Sequence, residues 1–215
     1  MKKILVIVLI GLFLFSCQQS EFEYSCDPVI NKFVIENQQE LSTIAVQEIG
    51  SYDLLLQKAI FASWDHQKKR SAWIDKLQYV KVNIAFTEFE KSHIQALIDH
   101  INEDYFLKEN LDKNSEIRSQ FASQWLNYVH NKLGWTDQFI AFMVYRLYTN
   151  QSQFDSELSV IRTIGSTVTT NSESGNCNCS VSSDFCGGVD CRSGGCTTTT
   201  GCGWLWSESC DGSCY

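Results

Sequence analysis

The sequence predicts an all-α helical domain, followed by a flexible linker and a small, irregular, disulfide-rich C-terminal module. Between residues 27 and 150, apolar residues recur at helical spacing, and the segment has only two glycines and one proline. Between residues 151 and 175 Ser, Thr and Asn predominate, which is typical of a linker. Residues 176–215 contain eight cysteines and few aliphatic side chains, so crosslinks rather than a core are expected to hold them together.

Residues 1–16 are predicted to be a secretory signal peptide. Lys2 and Lys3 precede the segment Ile4 to Phe15, which carries no charged side chain. A basic start followed by such a short apolar segment is typical of a signal peptide, because a membrane span needs about 20 residues. The mature chain is therefore expected to be exported.

The end of this segment, Leu14-Phe15-Ser16-Cys17, resembles the bacterial lipobox. The resemblance implies cleavage before Cys17 and acylation of its sulfur and its new amino group, so that residues 17–26 tether the protein to a bilayer. Gln18 stands where an aspartate commonly retains lipoproteins in an inner membrane, which favours the outer membrane. An ordinary signal peptide with a nearby cysteine is the alternative.

The helical domain is expected to contain four to six helices around one core. Five are placed at about residues 53–62, 65–82, 87–102, 115–134 and 136–148. Thr87 and Glu90 are expected to form a capping box, and Ser115 and Thr136 to cap the last two helices. The side chains expected to face the core are Trp73, Leu77, Val80, Ile94, Leu97, Ile98, Ile101, Phe121, Trp125, Tyr128, Val129, Phe139, Phe142, Met143, Tyr145 and Leu147.

The cysteines of the tail are predicted to form structural disulfides, because an exported chain enters an oxidising compartment. They are Cys177, Cys179, Cys186, Cys191, Cys196, Cys202, Cys210 and Cys214. Their pairing is left open, except that Cys177 and Cys179 are too close in sequence to be bonded to each other without strain. Zinc is the rival chemistry, but the tail lacks a Cys-x-x-Cys knuckle and has no histidine, so no metal is expected.

Cys26 is left over once Cys17 is lipidated and the eight tail cysteines are paired. It is therefore free, bonded to another molecule, or bonded to a tail cysteine whose partner it displaces. A buried or tethering role is expected rather than a catalytic one, because no nearby residue supplies the base that a nucleophile needs.

The tail resembles the fulvocin C-related bacteriocins. The shared residues are Asn176-Cys177-x-Cys179-Ser180-x-x-Ser183-Asp184-Phe185-Cys186 and Thr200-Gly201-Cys202-Gly203 followed by Trp204. The middle loops are about a residue shorter here, and the closing pair is Cys210-x-x-x-Cys214, where the bacteriocin has a closer pair. The whole chain looks like the larger fulvocin C-related lipoproteins, in which such a module follows a long helical region. The resemblance implies a bacteriocin-like module.

The helical domain shows no catalytic or cofactor-binding pattern. It has no His-Glu-x-x-His, no phosphate-binding glycine loop and no Gly-x-Ser-x-Gly elbow. His93 and His100 could share a helix face, but they are expected to be solvated or satisfied surface residues. The sequence therefore predicts a protein that is not an enzyme and has no cofactor.

The net charge of −8 disfavours nucleic acid as a partner, because phosphates repel an acidic surface. The tail is also acidic, which argues against a cationic peptide that attacks membranes by charge. Trp204, Leu205 and Trp206 are therefore the side chains through which the tail would contact a membrane. The alternative is that one tryptophan packs on the disulfides and the other is exposed by chance.

The leading hypothesis from sequence is a cell-envelope lipoprotein that carries a bacteriocin-like module on a linker, away from the helices. Proteolysis near Gly175 and Asn176 would release this module, and its target would be the membrane or a surface receptor of related bacteria. One alternative is a surface lipoprotein whose tail is a non-toxic recognition or adhesion module. Another is a toxin fused to its own immunity partner.

Overall fold

The computed structural model describes residues 23–147, 154–155, 158, 179–181, 191–194 and 196–214. The predicted signal peptide, the lipidation site Cys17, the processing site at Gly175 and Asn176, and nearly all of the predicted linker lie outside these ranges. So do Cys177 and Cys186. In the described residues the fold class is confirmed: a helical domain is accompanied by a C-terminal segment crosslinked by disulfides.

Within the ranges that the structure describes, the α-helices with defined bounds are α1 Pro28–Glu36, α2 Gln38–Thr43, α3 Leu54–Ser63, α4 His66–Asn83, α5 Glu88–His100, α6 Lys108–Lys113, α7 Ser115–Asn131 and α8 Asp137–Val144. The same ranges contain two short 3-10 helices, Val46–Ser51 and Trp204–Trp206, and two strands, β1 Cys191–Ser193 and β2 Gly212–Cys214, which pair antiparallel. Helix α1 packs on α3, α4 packs on α5, and α7 contacts both α6 and α8.

Short polar side chains fix where most of these helices begin. Asp27, Asp53, Asp65 and Thr136 each accept a hydrogen bond from a backbone N–H of the first turn that follows. Thr87 and Glu90 form the predicted capping box at the start of α5. These caps satisfy N–H groups that have no partner within the helix, so the helix starts follow from local sequence.

Three predictions about the later helices are wrong. Ser115 is the first residue of α7 rather than its cap, and Asn114 precedes it without a side-chain hydrogen bond. Tyr128 is 39 % exposed, because it stacks on His93 at the surface instead of facing the core. Helix α8 also ends earlier than predicted, at Val144. Gly134 follows α7 at a φ of +68°, the left-handed conformation that glycine adopts most readily.

The core is one cluster of apolar and aromatic side chains that includes residues of the tail. Trp73, Leu77 and Val80 of α4 and Ile94 and Leu97 of α5 have no exposed surface, as their spacing predicted. Trp204, Leu205 and Trp206 belong to the same cluster. The helical domain and the tail therefore share a core.

The tail is organised around its short sheet. Cys191 lies opposite Cys214, and Ser193 lies opposite Gly212. Cys179 forms a further bridge to Gly212, so three segments of the tail are joined by backbone hydrogen bonds. At Gly212, a Cβ atom would lie 2.7 Å from the carbonyl oxygen of Arg192, so this close approach of the strands requires glycine.

The predicted exposure of Trp204, Leu205 and Trp206 for membrane contact is wrong, since they are only 2 %, 0 % and 0 % exposed. The expectation that the tail stands away from the helices is wrong for the same reason. Burying such large side chains against the helices is favourable, because the tail is too poor in apolar residues to bury them itself. Membrane contact through these residues would require the tail to leave the helical domain.

Candidate functional site

A disulfide joins the beginning of the described chain to the tail. Cys26, just before α1, is bonded to Cys196, 170 residues further along the chain. Of the three roles left open for Cys26, the structure therefore has the third, a bond to a tail cysteine. Thr199 extends the contact, because its N–H and its hydroxyl both donate hydrogen bonds to the carbonyl oxygen of Glu23.

Among the described residues of the tail, two further disulfides are formed, Cys179–Cys191 and Cys202–Cys210. Five of the eight predicted tail cysteines are thus confirmed as disulfide-bonded. Cys179 is paired with Cys191, which confirms that it is not bonded to Cys177. Cys214 lies in β2, directly opposite Cys191.

Two buried lysines of the helical domain meet the tail. Lys69 Nζ donates hydrogen bonds to the carbonyl oxygen of Ala62, at 2.9 Å, and to Thr200 Oγ1, at 3.3 Å. Burial lowers the pKa of Lys69 to about 8, because the charged ammonium loses its hydration. Lys58 Nζ approaches Cys202 Sγ at 3.7 Å. Nearby, a Cβ on Gly201 would lie 3.0 Å from the carbonyl oxygen of Lys58, so the backbone of the tail is in close contact with α3.

The aromatic side chains of the 3-10 helix enter the core between α3, α4 and α7. The Trp206 ring packs edge-on against Phe61, at a centroid distance of 5.4 Å, and against Trp73, at 6.0 Å. Trp204 packs against Trp125 of α7 at 5.4 Å. Leu205 and Trp206 both have a φ of +53°, which is uncommon for residues other than glycine and costs free energy. The buried contacts must offset that cost.

A groove runs between α7 and the tail, with a cavity volume of about 1100 Å³. Small polar side chains form the α7 wall: Ser115, Ser119, Ser123, Asn127 and Asn131. They recur every fourth residue and so lie along one face of the helix. Ser180, Thr199, Ser207 and Ser209 line the tail wall, and Leu126, Ile140 and Trp204 add apolar surface. The groove thus offers hydroxyl and amide groups beside apolar surface, the usual composition of a binding site.

Of the residues whose positions are described, four carboxylates line this groove, Glu116 and Asp137 on the helical domain and Glu208 and Asp211 on the tail. Those of the tail are held in place by hydrogen bonds. Ser180 Oγ donates to Glu208 Oε2 at 2.7 Å, and the N–H of Val181 donates to Asp211 Oδ1 at 2.8 Å. A carboxylate can accept several hydrogen bonds, so these contacts position each group and leave it able to accept more.

The positive charges beside the groove do not balance these carboxylates. Arg118 is 9 % exposed, and its guanidinium donates to the carbonyl oxygens of Asn110 and Leu111, at the end of α6. The positively charged guanidinium of Arg118 therefore faces backbone carbonyl oxygens of α6. His130 Nε2 lies 3.7 Å from Asp137 Oδ1, in an exposed pair. The groove is acidic overall.

The chain matches no protein-family model and has no significant match among curated proteins or solved structures.

Two histidines that the sequence analysis considered are structural, and they are packed rather than solvated. His93 stacks on Tyr128 and Trp125, and His100 stacks on Phe121 at a centroid distance of 3.6 Å. Burial lowers the pKa of both histidines, because the charged ring is disfavoured away from water. They therefore help to join α5 to α7.

The structure brings Trp204, Cys202 and Cys210 next to the helical domain, which sequence reasoning did not predict. Sequence reasoning also missed the groove. One signal was present, namely the small polar residues at every fourth position of α7, but the opposite wall comes from a segment that begins 49 residues after the end of α7. In the described residues, no group of His, Cys, Asp or Glu is arranged to hold a metal ion, and no helix is both long and apolar enough to cross a bilayer.

Proposed function

We propose that this protein is an exported, lipid-anchored envelope protein whose cysteine-rich tail works while docked on the helical domain, as one wall of a recognition groove. In this role the protein is a binding protein with no catalytic step. The lipid would be carried on Cys17, and the absence of an aspartate at position 18 favours the outer membrane as its location.

The burial of Trp206 is the observation that carries this proposal. Its ring has no exposed surface, packs against Phe61 and Trp73, and donates a hydrogen bond from Nε1 to the carbonyl oxygen of Tyr145. Separating the tail from the helices would expose this ring together with Trp204 and Leu205, at a cost of roughly 1.5–3 kcal/mol for each large apolar side chain. A tail held in this way is suited to act in place.

The Cys26–Cys196 disulfide supports the same proposal, because it makes the attachment covalent. A single cut in the predicted linker leaves the tail bonded to the segment that precedes α1. In the oxidising compartment expected for an exported chain, this bond persists.

The proposal is tested by the mass of every species that contains the C-terminal sequence, in membranes and in culture medium separately, with and without reduction. We expect one species, the full-length lipidated chain, in the membrane fraction. Recovery of a free peptide that begins near Gly175 or Asn176 from the medium would contradict the proposal. The matched control is the Cys26→Ser, Cys196→Ser double variant, which keeps the groove residues but lacks the covalent link.

A second function is favoured by one observation: the helical domain covers Trp204, Leu205 and Trp206, the apolar and amphipathic side chains through which a bacteriocin-like tail would contact a membrane. In this second function, the helical domain buries Trp204 and Trp206 and thereby keeps a bacteriocin-like module inactive. Release would then need two events, a cut in the linker and the opening of Cys26–Cys196. A purified, oxidised peptide of residues 176–215 is expected to inhibit related bacteria under this function, whereas inertness across a broad panel of strains would exclude it.

A further inference from the structure

We propose that the groove between α7 and the tail binds a basic, extended peptide segment of a partner protein. This inference rests on the proposed function, in which the tail stays docked, and it names the ligand of the same site. The charge, the shape and the polar groups of the groove all favour such a ligand.

The negative charge of the groove indicates that its ligand is positively charged. The groove is lined by the carboxylates of Glu116, Asp137, Glu208 and Asp211, whereas the guanidinium of Arg118 donates hydrogen bonds to backbone carbonyl oxygens of α6. An acidic groove with apolar surface below it attracts cations more strongly than an open surface does, because the low-dielectric walls focus the field. Lys and Arg side chains supply donors only, and carboxylates accept them well.

The positions of the carboxylates indicate an elongated ligand. Glu116 lies in the first turn of α7, and Asp137 lies beside His130 in its last turn. The 17 residues of α7 extend over about 25 Å, at about 1.5 Å per residue. An extended peptide of roughly seven or eight residues, at about 3.3 Å each, has the same length.

The walls suit a peptide backbone. Ser119, Ser123 and Asn127 present hydroxyl and amide groups along one side, and these both donate and accept, as the alternating N–H and C=O groups of an extended peptide require. Along the other side, the hydroxyls of Ser207 and Ser209 donate to the carbonyl oxygens of Trp204 and Thr199, so this wall is suited mainly to accept hydrogen bonds from the peptide. Being small, these side chains leave the groove open, and its cavity of about 1100 Å³ exceeds the usual size of a small-molecule site.

The experiment uses the full-length lipoprotein purified in a neutral detergent. Labelled peptides of about eight residues, with alternating Lys and Ser, are titrated by fluorescence anisotropy at low salt and at physiological salt. Matched peptides carry Gln or Glu in place of Lys, and an uncharged N-acetylglucosamine oligomer serves as a competitor. We expect the Lys peptide to bind about tenfold more tightly than the Gln peptide, with weaker binding at higher salt, and the Glu peptide not to bind.

The decisive comparison is between two double variants with the same change in net charge. Asp137→Asn with Glu208→Gln removes one carboxylate from each wall, and the affinity for the Lys peptide is expected to fall about fivefold. Glu103→Gln with Asp104→Asn removes two exposed carboxylates that do not line the groove, and the affinity is expected to change less than twofold. Ser123→Trp fills the groove without changing charge and is expected to abolish binding.

Three results would overturn the inference. The first is equal affinity for the Lys and Gln peptides, and the second is an equal loss in both double variants, which would indicate attraction to the net negative charge of the chain alone. The third is competition by the sugar with no preference for Lys. Each of these results leaves the proposed function standing as long as the tail stays attached in cells, whereas a free tail in the medium removes the function itself.

Discussion

The indole nitrogen of Trp206 donates a hydrogen bond of 2.9 Å to the backbone carbonyl of Tyr145, 61 residues earlier in the chain. Tyr145 lies directly after α8, whose last carbonyls also accept hydrogen bonds from the buried Lys76 Nζ. A cation at this position is favourable, because the C-terminus of a helix carries partial negative charge. The end of α8 is therefore one of the places where a hydrogen bond joins the tail to the helical domain.

Replacing Trp206 by Ala is expected to reduce the free energy of unfolding by about 3–5 kcal/mol, since it leaves a large cavity between α3 and α4. Phe89→Ala is the control, because Phe89 is 77 % exposed, and it is expected to change stability by less than about 0.5 kcal/mol. Urea unfolding monitored by circular dichroism measures both. Equal stability of the two variants would mean that the tail is not docked in solution.

The double variant Cys26→Ser, Cys196→Ser is expected to lose about 4 kcal/mol of stability, because the disulfide closes a loop with a sequence separation of 170 residues. A second readout follows from connectivity. After a protease cut between residues 159 and 175, the unvaried protein is expected to run as one species on a denaturing gel without reductant and as two with reductant. The double variant should separate in both conditions, and separation of the unvaried protein without reductant would refute the bond.

Lys69 makes stability depend on pH in the alkaline range. Burial lowers its pKa from the ordinary 10.5 to about 8, so between these values the unfolded chain holds a proton that the folded chain has released. The free energy of unfolding therefore rises with pH in this window, by about 2 kcal/mol between pH 7 and pH 9.5. Urea unfolding at the two pH values measures the rise.

Lys69→Met is expected to remove this rise, whereas Lys32→Met, at an exposed position, should keep it. The measurement stays below pH 10 because Tyr24, whose pKa burial raises to about 12, acts in the opposite direction above its ordinary pKa of 10.0. A rise of the same size in the Lys69 variant would show that another group causes it.

Gly201→Ala is expected to destabilise the docked tail by more than about 2 kcal/mol, because its φ of +117° is strained for alanine and the new methyl group meets the carbonyl oxygen of Lys58. Gly134→Ala is the matched control, since its φ is also positive, at +68°, but nothing lies within 4 Å of the added Cβ. Its expected cost is about 1 kcal/mol, from backbone strain alone. Thermal or urea unfolding of both variants tests the difference, and equal losses would contradict the close approach of tail and α3.

Five of the eight α-helices in the described residues could be placed from sequence because their signals are local, whereas α1, α2 and α6 were not placed and the expected number of four to six helices is too low. A cap such as Thr87 with Glu90 forms its hydrogen bonds between residues only three positions apart. The burial of Ile94 and Leu97 follows from their helical spacing within one element. Tyr128 was misassigned because its ring packs on His93 of another helix, which periodicity along α7 does not include.

The site depended on long-range contacts, and sequence patterns carry little information about these. An apolar Trp-Leu-Trp triplet in a cysteine-rich tail suits a membrane surface as well as a protein core. The triplet packs in the core because Trp206 contacts Phe61 and Trp73, which lie more than 130 residues earlier in the chain. For Cys26, the sequence left a bond to a tail cysteine as one of three alternatives, and only the folded chain identifies Cys196 as its partner. The groove likewise needs both walls, and one of them is visible only after the tail has docked.

The Cys26–Cys196 bond also determines how far the groove can lie from a lipid anchor. Eight residues lie between Cys17 and Cys26, and a fully extended chain across this interval reaches at most about 30 Å. With the lipid on Cys17, the C-terminal tail is therefore held within one protein diameter of the bilayer surface, although it is the part of the sequence most distant from the anchor. A ligand of the groove would be met at the membrane surface, and a partner embedded in the same bilayer would be in reach.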